Sequence, residues 1–345
     1  MNRLRIAFVP GDPGGIGPEL TVKVLSSPPP DVDILLVGDE KVVTRGEQTA
    51  GARIDRTPVA GDSLSAAWPA HPHPLLFLQQ NGASPEEIAP GSATAAGGRA
   101  SLRELECAVD LAARGIVDGV CFAPLNKQAM KLGGMDAQDE LHHLAGFLGF
   151  SGCLSEINIT DAGVWTSRVT SHVPLRRVPD LIDREKIKAS ARLLSRALRE
   201  YGVPSPQIAV AALNPHGGDG GNFGREEIDI IAPAVKELRE EGMRAAGPYP
   251  ADTLFRRVLS ENIHGVVTMY HDQGQIALKL QGFERGVSVL GGLPVAVATP
   301  AHGTAYDIAG RNAAFTGATE AALQVVIRMA AQKRERARGQ EQHEN

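Results

Sequence analysis

Cysteine is scarce in this chain and forms no pattern. The three that occur, Cys107, Cys121 and Cys153, are odd in number and lack CxxC spacing. That argues against a disulfide framework or a thiolate metal site and for buried free thiols. No run approaches the roughly 18 apolar residues that span a bilayer. The opening "MNRLRIAFVPGD" has no apolar core followed by a small-residue cleavage site, so a cytoplasmic location is expected. Positive charge is in deficit: 35 Lys and Arg face 40 Asp and Glu, and the formal net charge is -5. A phosphate backbone or anionic lipid surface would meet no broad attraction, so neither nucleic acid nor membrane is an expected partner. A strand followed by GxGxxG is also missing. Any dinucleotide must be held in another way.

What is there begins with length. At about 150 residues per domain, 345 residues suggest two domains. Short apolar runs ("RIAFVP", "VDILLVGD", "PLLFLQ", "GVCFAP", "SEINIT", "IAVAAL", "GVVTMY") alternate with helix-length amphipathic segments. This argues for an α/β class with largely parallel strands. In "EIDIIAPAVKEL", Ile228, Ile231, Val235 and Leu238 recur at three and four residues and predict one buried helix face. The charged end "AAQKRERARGQEQHEN" reads as a frayed helix end or loose tail.

The unusual residues fall where strands end. "GDPGGIGPE" follows the first run, "APLNKQ" follows "GVCF", "NPHGGDGG" follows "IAVAAL", and "HDQGQIALK" follows "GVVTMY". In open parallel sheets that edge binds ligands, because strand ends and helix starts meet there with unpaired N–H groups. His216 lies in the glycine turn, and His172 ("TSHVPL") and His271 ("MYHDQG") also stand just after apolar runs. A lone histidine in such a turn is more often a local hydrogen-bonding residue. Three from three strand ends make a candidate ligand set for Zn²⁺ or a similar ion with a position left for substrate oxygens. Lys279 and Asp252 are candidates for holding an anionic group or moving a proton, against the plainer reading of two surface charges. "AHGTAYDIAG" gathers His302, Gly303, Thr304, Asp307 and Gly310; it reads either as a capped strand-to-helix turn or as a loop that wraps a nucleotide.

Taken in series, "GDPGGIGPE", "APLNKQ", "SHVPLRRVP", "LNPHGGDGGNFGREE", "GPYPADTLF", "MYHDQGQIALK" and "HGTAYDIAG" resemble the 4-hydroxythreonine-4-phosphate dehydrogenase family, in family order over nearly the whole chain. The resemblance implies an isocitrate/isopropylmalate dehydrogenase-like fold of two α/β lobes with a central cleft. It implies a cofactor lobe from 1–122 plus 275–345 and a metal-binding and dimerisation lobe over 123–274. It implies a homodimer whose divalent ion, expected to be zinc, is held by His172, His216 and His271 at the subunit interface. NAD, or NADP, would be held by Gly11, Asp12, His302, Gly303, Thr304 and Asp307. Lys279, Asp252 and Ser288 would bind substrate, with Lys279 and Asp252 also catalytic. The reaction implied is oxidation of an alcohol β to a carboxylate, followed by loss of CO₂.

The chain also departs from the family. Where the family has Gly-His-Thr-Glu, it reads Asp139, Glu140, Leu141 and His142; Ser288 replaces an asparagine; Val297 stands in place of a substrate arginine. These losses remove donors suited to a phosphate dianion. The expectation they create is a non-phosphorylated hydroxy acid. The chain then looks closest to a terephthalate dihydrodiol dehydrogenase-like branch of the family, which implies a ring cis-diol dicarboxylate that yields protocatechuate, with Arg285, Arg168 or Arg177 on a distant carboxylate. The alternatives are 4-hydroxythreonine 4-phosphate itself or a phosphorylated threonate or erythronate, and, from another class, a non-catalytic metabolite sensor.

Overall fold

The computed structural model describes residues 3–61, 64, 68, 75–82, 86–282 and 284–343. They form two compact units, Met1–Ser151 with Leu293–Asn345, and Gly152–Gly292. In chain order the first unit opens with β1 (Leu4–Val9), β2 (Val32–Gly38), β3 (Thr57–Val59), β4 (Leu75–Gln79) and β5 (Gly119–Phe122). The second holds β6 (Ser155–Ile159), β7 (Trp165–Arg168), β8 (Gln207–Ala211), β9 (Arg244–Tyr249), β10 (Gly265–Thr268) and β11 (Val287–Gly291). The chain then returns to the first unit with β12 (Ala296–Pro300).

Within the first unit the strands lie in the order β3-β4-β2-β1-β5-β12, all parallel. β2 is buried along its whole length, as a strand covered on both faces must be, and so reads as one apolar run. In the second unit the order is β11-β6-β7-β10-β8-β9. Its β7, β10, β8 and β9 are parallel, whereas β6 pairs antiparallel with both β7 and β11. The mixed α/β class is as expected, and the parallel character is partial.

The units divide elsewhere than the expected 122/123 and 274/275. Residues 123–151 stay with the first unit because the helix Lys127–Leu132 packs against the helix Ala95–Ala113, so closely that a Cβ on Gly98 would collide with the Ala129 carbonyl. Residues 275–292 stay with the second unit because β11 pairs with β6. As far as it is described, the charged C-terminal segment is helical rather than a loose tail: the helix Gly317–His343 continues into it, and Arg334 grips Asp118 at 2.5 and 2.6 Å. Ile228 is 43% exposed although Ile231, Val235 and Leu238 are buried. The winding over Glu227–Ile231 is a π-turn; its extra residue rotates Ile228 outward and Glu227 inward. Of the thiols, Cys121 is buried, Cys107 half-buried and Cys153 exposed.

Gly98→Ala is expected to destabilise the protein by about 3 kcal/mol, since backbone rather than a flexible side chain meets the new methyl. Urea unfolding of the two proteins measures it.

Candidate active site

In the second unit β7, β10 and β8 are neighbours, and hydrogen bonds hold their C-terminal ends together. Beyond β7, Val169 N–H donates to the Thr268 carbonyl at 2.9 Å, and Thr170 donates to the Met269 carbonyl through N–H (3.1 Å) and Oγ1 (2.8 Å). Met269 N–H donates to Gln273 Oε1, and Gln273 Nε2 donates to the Ala212 carbonyl past β8, both at 2.7 Å. Ala212 N–H in turn reaches the Tyr249 carbonyl of β9 at 2.7 Å.

His172 and His271 emerge from this edge. Their ring centres are 5.7 Å apart and tilted by 39°. Two imidazoles sharing one ion at ~2.1 Å in tetrahedral directions have centres about 5 Å apart. Both rings line a cavity of about 240 Å³ with Thr170, Ser171, Tyr270 and Asp272. His271 Nδ1 lies 2.7 Å from Asp272 Oδ1, a contact that leaves Nε2 as the ring nitrogen open to another partner. His172 has φ of 51° and His216 of 53°. Such backbone is uncommon for non-glycine residues and concentrates at functional sites.

The glycines around His216 have a direct explanation. Residues 216–220 all adopt left-handed φ/ψ, which costs an L-residue about 1–2 kcal/mol. Three of the five, Gly217, Gly218 and Gly220, escape that cost. Buried Glu227 fixes the turn by accepting from Leu213 N–H (2.8 Å), Asn214 N–H (2.7 Å) and Asn214 Nδ2 (2.9 Å). Burial works to raise its pKa, but the donors of Asn214 and Leu213 outweigh it and hold the carboxyl below its ordinary range. A Cβ on Gly218 would sit 2.7 Å from Glu227 Oε2. His216 itself is exposed, its ring 6.4 Å from that of Phe223. It does not complete a triad within one chain: among the described residues no three His, Cys, Asp or Glu side chains gather as ligands.

Ser288 is not poised for substrate. It is 4% exposed; its hydroxyl donates to Glu156 Oε1 at 2.8 Å and accepts from Asn158 Nδ2 at 2.8 Å. Arg168 is likewise committed, to Glu156 (2.6 Å), Asn158 (2.8 Å) and Ser171 (3.0 Å), the last beside His172. Arg285 and Arg177 are exposed, as are Lys279 and Asp252 on the helices His271–Leu280 and Ala251–Ser260. In the first unit, Leu141 is 4% and Val297 0% exposed. They are core side chains, so they carry no information about a flat substrate.

Also in the first unit, Gly11 has φ of 76°, and a Cβ there would run into the Ala123 carbonyl. Asp12 is 1% exposed; Gly14 N–H donates to its Oδ1 and Tyr306 Oη to its Oδ2, both at 2.7 Å. Burial raises its pKa against those hydrogen bonds. Asp12 therefore positions its surroundings rather than presenting oxygens to a ligand. Ile16 N–H donates to the Thr304 carbonyl at 3.0 Å, so the glycine loop and the 302–307 segment lie against each other. Thr304 is buried, His302 half-buried, and Gly303 and Asp307 exposed. Glu227, Gln273, Glu156 and Tyr306 were not singled out from the sequence, although three of them lie inside motifs that were.

A family model described as "Pyridoxal phosphate biosynthetic protein PdxA" matches residues 31–326. The chain belongs to this family. A Pseudomonas aeruginosa relative, a putative 4-hydroxythreonine-4-phosphate dehydrogenase 2, is 48% identical over 335 residues, covering 95% of this chain and 98% of its own length. The solved 4-hydroxythreonine-4-phosphate dehydrogenase of Klebsiella pneumoniae is 32% identical at a TM-score of 0.82, over 96% of this chain and 98% of that one. A terephthalate 1,2-cis-dihydrodiol dehydrogenase from Burkholderia xenovorans is similar at 28% and 0.66, over 95% and 98%. As a PdxA-family member the chain is a dehydrogenase acting on a CH–OH group. The expected non-phosphorylated ring diol, and with it a place in aromatic catabolism, is overturned, because the phosphorylated-substrate dehydrogenases match better. Among the described residues no helix is long and apolar enough to cross a membrane.

Burial works to raise the Glu156 pKa, but the charge of Arg168 and donors from Ser288 and Asn158 outweigh it and hold it at about 2. An unfolded glutamate titrates near about 4.3. The pair's contribution is therefore present above that pH and lost as pH falls towards about 2. Because the Glu156 side chain is 34% exposed, Arg168→Met is expected to cost about 1–2 kcal/mol at neutral pH and to shrink this acid-induced loss, part of which Ser288 and Asn158 still supply. Urea unfolding across that window checks both.

Proposed function

We propose that this chain is an NAD-dependent, divalent-metal-dependent dehydrogenase of 4-hydroxythreonine 4-phosphate or a closely related phosphorylated hydroxy acid. The observation that carries the reading is the approach of His172 and His271 at adjacent strand ends, in a chain whose PdxA-family match extends over 31–326. The donor set fits a divalent ion: two imidazoles face one cavity, and a carboxylate orients one of them. Three imidazoles lean towards zinc or another transition metal. His216, exposed and apart from the pair, would complete the set across a homodimer. Exposed Leu175, Phe223, Ile228, Ile276 and Leu280 on the same unit favour such a partner.

The ion would supply positive charge beside the substrate oxygen, and NAD would accept the hydride. This chain's own groups do the rest. Lys279 holds an anionic end of the substrate, and Asp252 takes the hydroxyl proton as the carbon becomes a ketone. The bond to the neighbouring carboxylate then breaks: CO₂ leaves, the electron pair stays as an enolate beside the ketone carbon, and protonation of that enolate gives the ketone product. Asp307, an exposed carboxylate in the 302–307 segment, suits ribose hydroxyls and disfavours a 2′-phosphate, hence NAD over NADP. The substrate phosphate takes donors other than positions 141 and 297. This reading keeps the isocitrate/isopropylmalate dehydrogenase-like fold expected from the sequence, with NAD on the first unit and metal and substrate on the second.

Purified protein is expected to reduce NAD with 4-hydroxythreonine 4-phosphate, to stop with chelator and to recover with added divalent ion. His271→Ala should lose at least about 100-fold in kcat/KM. Equal turnover of the phosphorylated and dephosphorylated compounds, or indifference to chelator, contradicts the proposal.

A further inference from the structure

We propose that Tyr306 is a positioning residue, whose phenol hydroxyl, by donating to buried Asp12, holds the 302–308 segment in the form that receives the dinucleotide. The inference rests on the reading of that segment as the NAD loop. The segment follows β12 with little regular structure of its own: a single 3-10 turn spans Tyr306–Ile308. Ala305 before it has φ of 42° and ψ of 58°, left-handed backbone that an alanine does not adopt unless its neighbours impose it. Three contacts impose it here. Ala305 and Ile308 pack on Ile16, Leu20 and Ala314; Ile16 N–H donates to the Thr304 carbonyl at 3.0 Å; Tyr306 Oη donates to Asp12 Oδ2 at 2.7 Å.

The Tyr306 bond differs from the other two in what it ends on. Asp12 is 1% exposed, and its other oxygen is held by Gly14 N–H inside the loop that follows β1. The same loop is fastened by the Arg45 guanidinium, which donates to the Pro13 carbonyl and, at 3.0 Å, to the Ile88 carbonyl. The loop under the dinucleotide segment is thus rigid, and the phenol ties the segment to it through a carboxylate that water does not reach. Without that hydroxyl, Asp12 Oδ2 loses a donor in a buried place, and the bond restraining the 306–308 turn is gone. A segment that must be ordered at the moment of binding loses affinity by the cost of ordering it.

The test uses the full chain in its metal-loaded form and two readouts, NAD binding by calorimetry and steady-state kinetics. Tyr306→Phe is expected to weaken NAD binding and raise the KM for NAD about tenfold, while kcat at saturating NAD changes less than about twofold. Hydrogen exchange over 302–309 without NAD should be faster in the variant. Asp12→Asn is expected to weaken binding too, and the double variant to lose no more than the worse single one, because both act through one bond. NAD affinity and exchange unchanged in Tyr306→Phe, or additive losses in the double variant, overturn the proposal. Wild-type protein that binds no dinucleotide overturns the NAD reading and this proposal with it; normal wild-type binding with an indifferent Tyr306→Phe overturns this proposal alone.

Discussion

The second unit depends on a line of hydrogen bonds that crosses the C-terminal edge of four parallel strands, from Thr170 to Met269, through Gln273 to Ala212, and on to Tyr249. Backbone groups past a strand end have no ladder partner, and a loop leaving them unpaired in a buried place would be costly. The Gln273 amide solves this for two strands at once, accepting from one and donating to the other. The edge behaves as one piece. His172 and His271 are then carried at a fixed separation by backbone that has little room to move.

Strain is set against this frame. The left-handed run over 216–220 and the positive φ of His172 are unfavourable in isolation. Each is over-determined by its surroundings. Glu227 captures two backbone N–H groups and the Asn214 amide; Arg168, itself neutralised by Glu156, holds Ser171 next to His172. The partly buried ion pair is thus less a source of net stability than a support for one loop.

His216 and His271 were legible because each stands just after an apolar run, and the glycine turn because a chain with that much glycine around one imidazole must be meeting a backbone requirement. β7 was not: in "WTSR" Thr166, Ser167 and Arg168 are all buried, and polar strands become readable only once their partners are known. Ile228 was misplaced because a π-turn breaks the 3.6-residue period. The substrate was misjudged for a related reason. Leu141 and Val297 differ from the family at positions that this fold buries, so their chemistry reports on packing. Ser288 and Asp12 look like ligand contacts in sequence, but in the fold both are buried and their oxygens are taken up by neighbouring groups, which no sequence pattern shows.

The central claim is that the strand-end edge presents His172 and His271 to a divalent ion. Calorimetric titration of metal-free protein with Zn²⁺ tests it most directly, on the wild type, on His172→Ala and on Gln273→Leu, each checked for folding. The account predicts a tight site that His172→Ala abolishes and that Gln273→Leu, which touches no ligand, weakens by about 10–100-fold. Binding that both variants leave unchanged would contradict it.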